Sequence, residues 1–187
     1  MNQIIIFTLI FCLVVAFIYC IYVYNMLVKN KNLVLEAWSG IDVQLKQRHE
    51  LIPNLVAIVK GYMQYEDKLL VNLTKTRTAA LNAGKIAEQG KNEGLLTQLL
   101  NQLIVTVENY PDLKADEKFL ELQKKLADVE NLLQHARRYY NGAVRQNNIA
   151  IDSFPSNILA KLFQFKAASF FELNDPSERK VPDIDLH

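Results

Sequence analysis

One run decides most about this chain. Residues Ile4 to Tyr24 are all apolar except Thr8, and no charged residue occurs before Lys29. At about 1.5 Å per residue the run spans about 31 Å, the thickness of a bilayer's hydrocarbon core. A single helix satisfies every backbone amide of such a run internally, as a membrane interior demands. Tyr22 and Tyr24 stand at its C-terminal edge, where amphipathic rings suit the headgroup layer. The run also explains why half of the 187 residues are hydrophobic; without it the remainder falls back into the ordinary globular range. A cleaved signal peptide calls for a basic start, a shorter apolar core and small residues before the cut. Here Met1-Asn2-Gln3 carries no Lys or Arg, and bulky Tyr19 precedes Cys20. Residues 1–24 therefore read as a retained transmembrane anchor.

The flanks orient it. Lys29, Lys31, Lys46 and Arg48 follow the span and no basic side chain precedes it. The excess of basic residues on one side places the C-terminal portion in the cytoplasm and the N-terminus outside, in a single-pass protein of the cell's inner membrane. Cys12 and Cys20 are the only cysteines and both lie in the span. The remainder thus has no disulfide framework and no thiolate metal site. Its 21 basic and 20 acidic residues nearly cancel, which argues against a nucleic-acid partner.

Beyond the span the hydrophobic periodicity is helical throughout. A first helix is expected from Asn25 to His49, with Leu27, Val34, Trp38, Ile41 and Leu45 on one face. No Pro or Gly separates it from the span, so one continuous rod is an open alternative. Pro53 marks the start of a second helix, to Leu81, since Pro suits a first turn and not an interior. The stretch Asn82 to Gly94 holds three glycines and two asparagines and reads as a loop. A third helix runs from Leu95 to Asn109, ended by Tyr110-Pro111. A fourth runs from Asp112 to Asp152. In it Phe119, Leu122, Leu126, Val129, Leu133, Ala136, Tyr140 and Ala143 alternate three and four apart, a coiled-coil-like seam that Asn147 continues with a polar residue. Residues 173–187 are acidic and Pro-containing and read as a flexible tail.

At this point the residues resemble a known family. AWSGIDVQLKQRHELIPNLVAIVKGY (Ala37 to Tyr62) is similar to the signature block of the LemA family of bacterial membrane proteins. ENYPDLKA (Glu108 to Ala115), ARRYYNGAVRQNN (Ala136 to Asn148) and SFP…FFE (Ser153 to Pro155, Phe170 to Glu172) agree in order. The resemblance covers residues 25–172. It implies an all-α fold, an N-terminal transmembrane helix followed by an up-and-down bundle of four long helices, with the bundle on the cytoplasmic side. It implies no established biochemical activity. Some members are encoded near membrane zinc proteases, which makes a membrane protease a candidate partner.

The search for chemistry is short. His49, His135 and His187 fall on different elements without paired spacing, and zinc needs three or four converging ligands. No Glu-x-x-His, Gly-rich phosphate loop or Gly-x-Ser-x-Gly occurs. Asp183 and Asp185 lie in the acidic tail, where solvation is the plain reading. No cofactor, no metal and no catalytic residue is expected. Five residues stand out as polar positions within the bundle or for interaction: Asp42, Arg48 and Asn54 near the first turn, and Arg137 and Arg138 beside Tyr139 and Tyr140. Asp42 borders the apolar face, within possible reach of Arg48 or Arg137. Tyr140 falls on the seam, so its ring is expected in the core and its hydroxyl at an edge. The apolar segment 157–171, with Lys161 and Lys166, either caps the membrane-proximal end or lies on the headgroup surface. The function expected is a membrane-anchored, non-enzymatic scaffold or adaptor whose partners are other proteins or identical copies. The alternative is a regulator of a membrane protease, or an enzyme using carboxylates at the bundle end.

Overall fold

A computed structural model describes residues 2–63 and 67–172. The expected flexible tail, with Asp183, Asp185 and His187, lies outside the described residues. Among those described there is no strand. The helices are α1 (Asn2–Lys60), α2 (Asp67–Leu81), α3 (Ile86–Val107), α4 (Pro111–Lys114), α5 (Glu117–Asp152) and α6 (Ser156–Leu162). The all-helical expectation holds. Six helices are described where a span and four long helices are expected: the expected helix Asp112–Asp152 is split at 115–116 into α4 and α5, and α6 is additional. The boundaries differ in three further informative places.

First, the expected span and the expected first helix are one element. Every residue from 3 to 22 is exposed, and burial begins at Val23. A core helix of a soluble protein would be mostly buried, whereas none of this apolar stretch is. Thr8 Oγ1 turns back to the carbonyls of Ile4 and Ile5, which spares a lone hydroxyl in an apolar setting.

Second, Pro53 lies inside α1 rather than at the start of a new helix. A proline removes the N–H that would bond the carbonyl four residues back. That carbonyl belongs to His49, and Arg77 Nε of α2 donates to it at 2.7 Å. The helix passes through Pro53 because another element supplies the missing donor.

Third, the expected loop 82–94 shrinks to 82–85. Gly90 and Gly94 are buried positions of α3. A Cβ at Gly90 would collide with the backbone carbonyl of Glu172. That glycine serves close backbone approach rather than turning.

The chain divides into two compact units. The first comprises, among the described residues, 2–41 and 136–169. Here Val23 and Leu27 of α1 pack with Ala160 of α6, flanked by Met26, Ala150, Ile151, Leu159 and Phe165. Trp38 and Tyr140 meet edge to face at 5.3 Å between centroids. Tyr140 is 1% exposed and its hydroxyl donates to the Ser169 carbonyl at 2.8 Å, core ring and satisfied tip as expected. Burial pushes its phenol up from the usual range. Asn148 grips the chain after α6: its Nδ2 donates to the Ala168 carbonyl at 2.9 Å, and its Oδ1 accepts from the Ala168 N–H at 2.8 Å.

The second unit comprises 42–135 and 170–172. Its core joins Ile52, Leu55, Val56 and Val59 of α1 to Leu69, Leu70 and Leu73 of α2. Leu96, Leu103 and Val107 of α3, Leu113 of α4 and Phe119 of α5 complete it. Asp116 caps α5, accepting the Phe119 N–H at 2.9 Å. Tyr62 donates its hydroxyl to the same carboxylate at 3.0 Å. The two donors, the Phe119 N–H first, hold Asp116 below the usual carboxylate range, and Asp116 in turn raises the Tyr62 phenol.

Candidate functional site

The densest polar constellation sits inside the second unit. Arg48 follows Ile41 and Leu45 and precedes Ile52, Leu55 and Val59 at helical spacing, so a guanidinium occupies the buried stripe of α1. It is 1% exposed, His49 is 3%, and Glu93 of α3 is fully buried. A charge so placed is tolerated only when paired and hydrogen-bonded.

The pairing is thorough. Arg48 Nη1 donates to Glu93 Oε2 at 3.1 Å. Arg48 Nη2 donates to Thr97 Oγ1 at 2.6 Å and lies 3.2 Å from Glu130 Oε2 of α5. His49 Nε2 faces Glu93 Oε1 at 2.6 Å, so the ring N–H donates and the carboxylate accepts. Thr97 Oγ1 in turn donates to the Glu93 backbone carbonyl at 3.2 Å. Each Glu93 oxygen thus holds a different cation or donor, and α1, α3 and α5 are tied at one point. With Arg77 on the His49 carbonyl, α2 joins the same knot.

An opening of about 300 Å³ lies against this knot, lined by Arg48, Thr97, Leu100, Leu126 and Glu130 among others. Glu130 is 26% exposed there, in contrast to Glu93. Among the described residues no three His, Cys, Asp or Glu side chains converge as metal ligands would.

The sequence candidates scatter. Arg48 is the centre of the knot. Asp42 and Asn54 are exposed, and Arg48 turns to Glu93, Thr97 and Glu130 instead of Asp42. The pairing considered between Asp42 and Arg48 therefore does not form: Asp42 points off the stripe that buries Arg48. Arg137 is half-buried and Arg138 exposed; neither is without a partner. They belong to the first unit, and the Arg48 knot belongs to the second.

Sequence reasoning missed His49, Glu93, Thr97 and Glu130. A signal for Glu93 existed. The apolar stripe Leu96, Leu100, Leu103 and Val107, extended one step backwards, lands on Glu93. An acid in register with a buried stripe asks for a buried base, and Arg48 is the base in register on α1. The glycines on either side, Gly90 and Gly94, hid it by suggesting a loop.

The profile of the LemA family matches residues 37–186. The chain is 26% identical over 186 residues to magnetosome protein MamQ 2 of Paramagnetospirillum magneticum, covering 85% of this chain and 68% of that one. It is 25% identical over 182 residues to protein LemA of Metamycoplasma hominis, covering 96% of this chain and 82% of that one.

Proposed function

The chain belongs to the LemA family, and on that footing we propose that it is a membrane-anchored helical scaffold or adaptor that works without catalysis. The observation that carries this reading is α1 itself. Its first third is apolar and wholly exposed, and it continues unbroken into the buried stripes of both units. An exposed apolar helix end of bilayer length is stable in lipid and costly in water. The same rod then supplies each unit with core residues. Lys29, Lys31, Lys46 and Arg48 after the span support an inside location for the folded portion.

The polar chemistry supports holding rather than turnover. The charges at the knot are spent on one another, and Glu93 is sealed from solvent. The second unit draws one core from the end of α1, α2, α3 and the start of α5, which supports an up-and-down arrangement of four helices. Exposed apolar side chains on this unit, among them Val105, Leu120 and Leu132, are where a second copy or another protein would dock. That relatives carry names as different as magnetosome protein MamQ and protein LemA supports a shared presenting module.

Topology tests the reading. With Cys12 and Cys20 replaced, a cysteine at exposed Lys91 should react with a membrane-impermeant maleimide only after the cells are opened. Labelling of intact cells would overturn the cytoplasmic placement.

A further inference from the structure

Two depressions of the first unit share a wall, and together they have the form of a lipid. The polar one, about 460 Å³, is lined by Lys31, Asn32, Asn147, Gln164 and Lys166 together with Tyr24 and Phe163. The apolar one, about 430 Å³, is lined by Phe17, Cys20, Ile21, Leu159 and Leu162 and again by Tyr24 and Phe163. The Tyr24 and Phe163 rings meet edge to face at 4.9 Å and form the partition. We propose that the two depressions bind one anionic phospholipid, its phosphate between Lys31 and Lys166 and an acyl chain along Phe17, Ile21 and Leu162.

The order along α1 carries the argument. The polar lining uses residues 24, 28, 31 and 32 and the apolar lining residues 17, 20, 21 and 24, all on one face of the helix. From Lys31 back to Phe17 is about 21 Å of helix axis, close to half the ~40–45 Å of a bilayer with its headgroup layers. A ligand lying along this face needs charge at one end and hydrocarbon at the other, at the spacing of one leaflet. The two lysines come from different segments, one on α1 and one after α6, so they close on a phosphate from two sides. A free phosphate has no use for the apolar half, and this favours the lipid.

The backbone at Gln164 adds a second sign. Gln164 has φ of 57°, the left-handed region that glycine adopts without strain. It occupies the position after α6 where the Phe165 N–H bonds the Ala160 carbonyl and the Gln164 N–H bonds the Lys161 carbonyl. This is the helix ending that ordinarily takes Gly. A side chain kept there against strain, on the wall of the polar depression, is suited to donate an amide N–H to a phosphate oxygen.

The inference rests on the span being retained, and the test separates the two. The full chain in detergent is exchanged into mixtures of phosphatidylglycerol and phosphatidylcholine, and bound lipid is read by native mass spectrometry. The mass of the chain shows directly whether residues 1–24 are present. The expected result is one phosphatidylglycerol per chain in preference to phosphatidylcholine. Lys31→Gln with Lys166→Gln should lower that retention about tenfold or more. Gln164→Gly, which relieves strain and keeps the fold, should weaken it, as should Leu162→Ser. Lys161→Gln, on neither wall, should leave it unchanged. Equal retention of both lipids, unchanged retention in the double-lysine variant, or displacement of the lipid by inorganic phosphate alone would overturn the proposal.

Discussion

Arg77 donates from Nε to the backbone carbonyl of His49 at 2.7 Å, the carbonyl that Pro53 deprives of its helical donor. An interior proline costs a helix about 3 kcal/mol, and a hydrogen bond from a charged group returns about 1.5–3 kcal/mol. The long α1 therefore depends on a side chain of α2 at this turn. Arg77→Ala should destabilise the detergent-solubilised full chain by about 1.5–3 kcal/mol in denaturant titration. In a Pro53→Ala background, where residue 53 regains its N–H, the same change should cost at least about 1 kcal/mol less. Strictly additive costs would show that the bond does not compensate for the proline.

Glu93 and Glu130 both reach Arg48, yet they should differ sharply on removal. Glu93→Ala takes the carboxylate from buried His49 and leaves buried Arg48 with only Thr97 and Glu130, and breaking such a buried pair costs about 3–5 kcal/mol. Glu130 is 26% exposed, and its loss leaves Arg48 bonded to Glu93, so Glu130→Ala should cost under about 1 kcal/mol. Denaturation midpoints of the two variants rank them; an equal or reversed order contradicts the geometry.

Much of this fold is legible in the residues and some of it is not. The stripes of α1 and α5 predict burial well, since Leu27, Val34, Ile41, Leu45, Val129, Leu133 and Tyr140 are buried, and period alone determines them. The boundary at Pro53 misleads because the compensating donor, Arg77, lies on another helix and no local rule contains it. Gly90 and Gly94 mislead because a glycine needed for a tight contact looks the same in sequence as one needed for a turn. Arg48 stands out in the sequence as a polar residue near the first turn, but its partners Glu93, Thr97 and Glu130 come from helices far along the chain. Spacing within a helix carries no information about which stripe it will meet.

Glycines on α3 and α5 give opposite predictions. Gly90→Ala places a methyl against the Glu172 carbonyl and should cost about 1–3 kcal/mol as the chain at 170–172 is pushed off. At Gly142, exposed on α5, an added Cβ meets nothing within 4 Å. Gly142→Ala should therefore stabilise by about 0.5–1 kcal/mol through helix propensity. Thermal melts of both variants beside the parent check the signs.

Asp116 makes the second unit sensitive to pH at both extremes. Its carboxyl is held below the usual range by the Phe119 N–H and the Tyr62 hydroxyl. The stability it contributes is thus full above the ordinary carboxylate value and is lost as pH falls through the lowered one. The Tyr62 phenol is raised, so its share is full below the ordinary phenol value and disappears as pH rises through the raised one. Asp116→Ala should be less stable than the parent across neutral pH, with the gap closing in acid and narrowing in strong base, where the Phe119 N–H bond persists. A gap independent of pH contradicts the paired assignment.

A docking module held at the membrane by its first helix should capture its partners through exposed apolar positions. Photo-crosslinking in native membranes, from residues introduced at exposed Val105, Leu120 and Leu132, tests it most directly. The expected result is discrete adducts to a second copy or to one recurring polypeptide, lost when residues 1–24 are deleted. The absence of any discrete protein adduct from all three positions, or adducts unchanged by deleting the span, would contradict it.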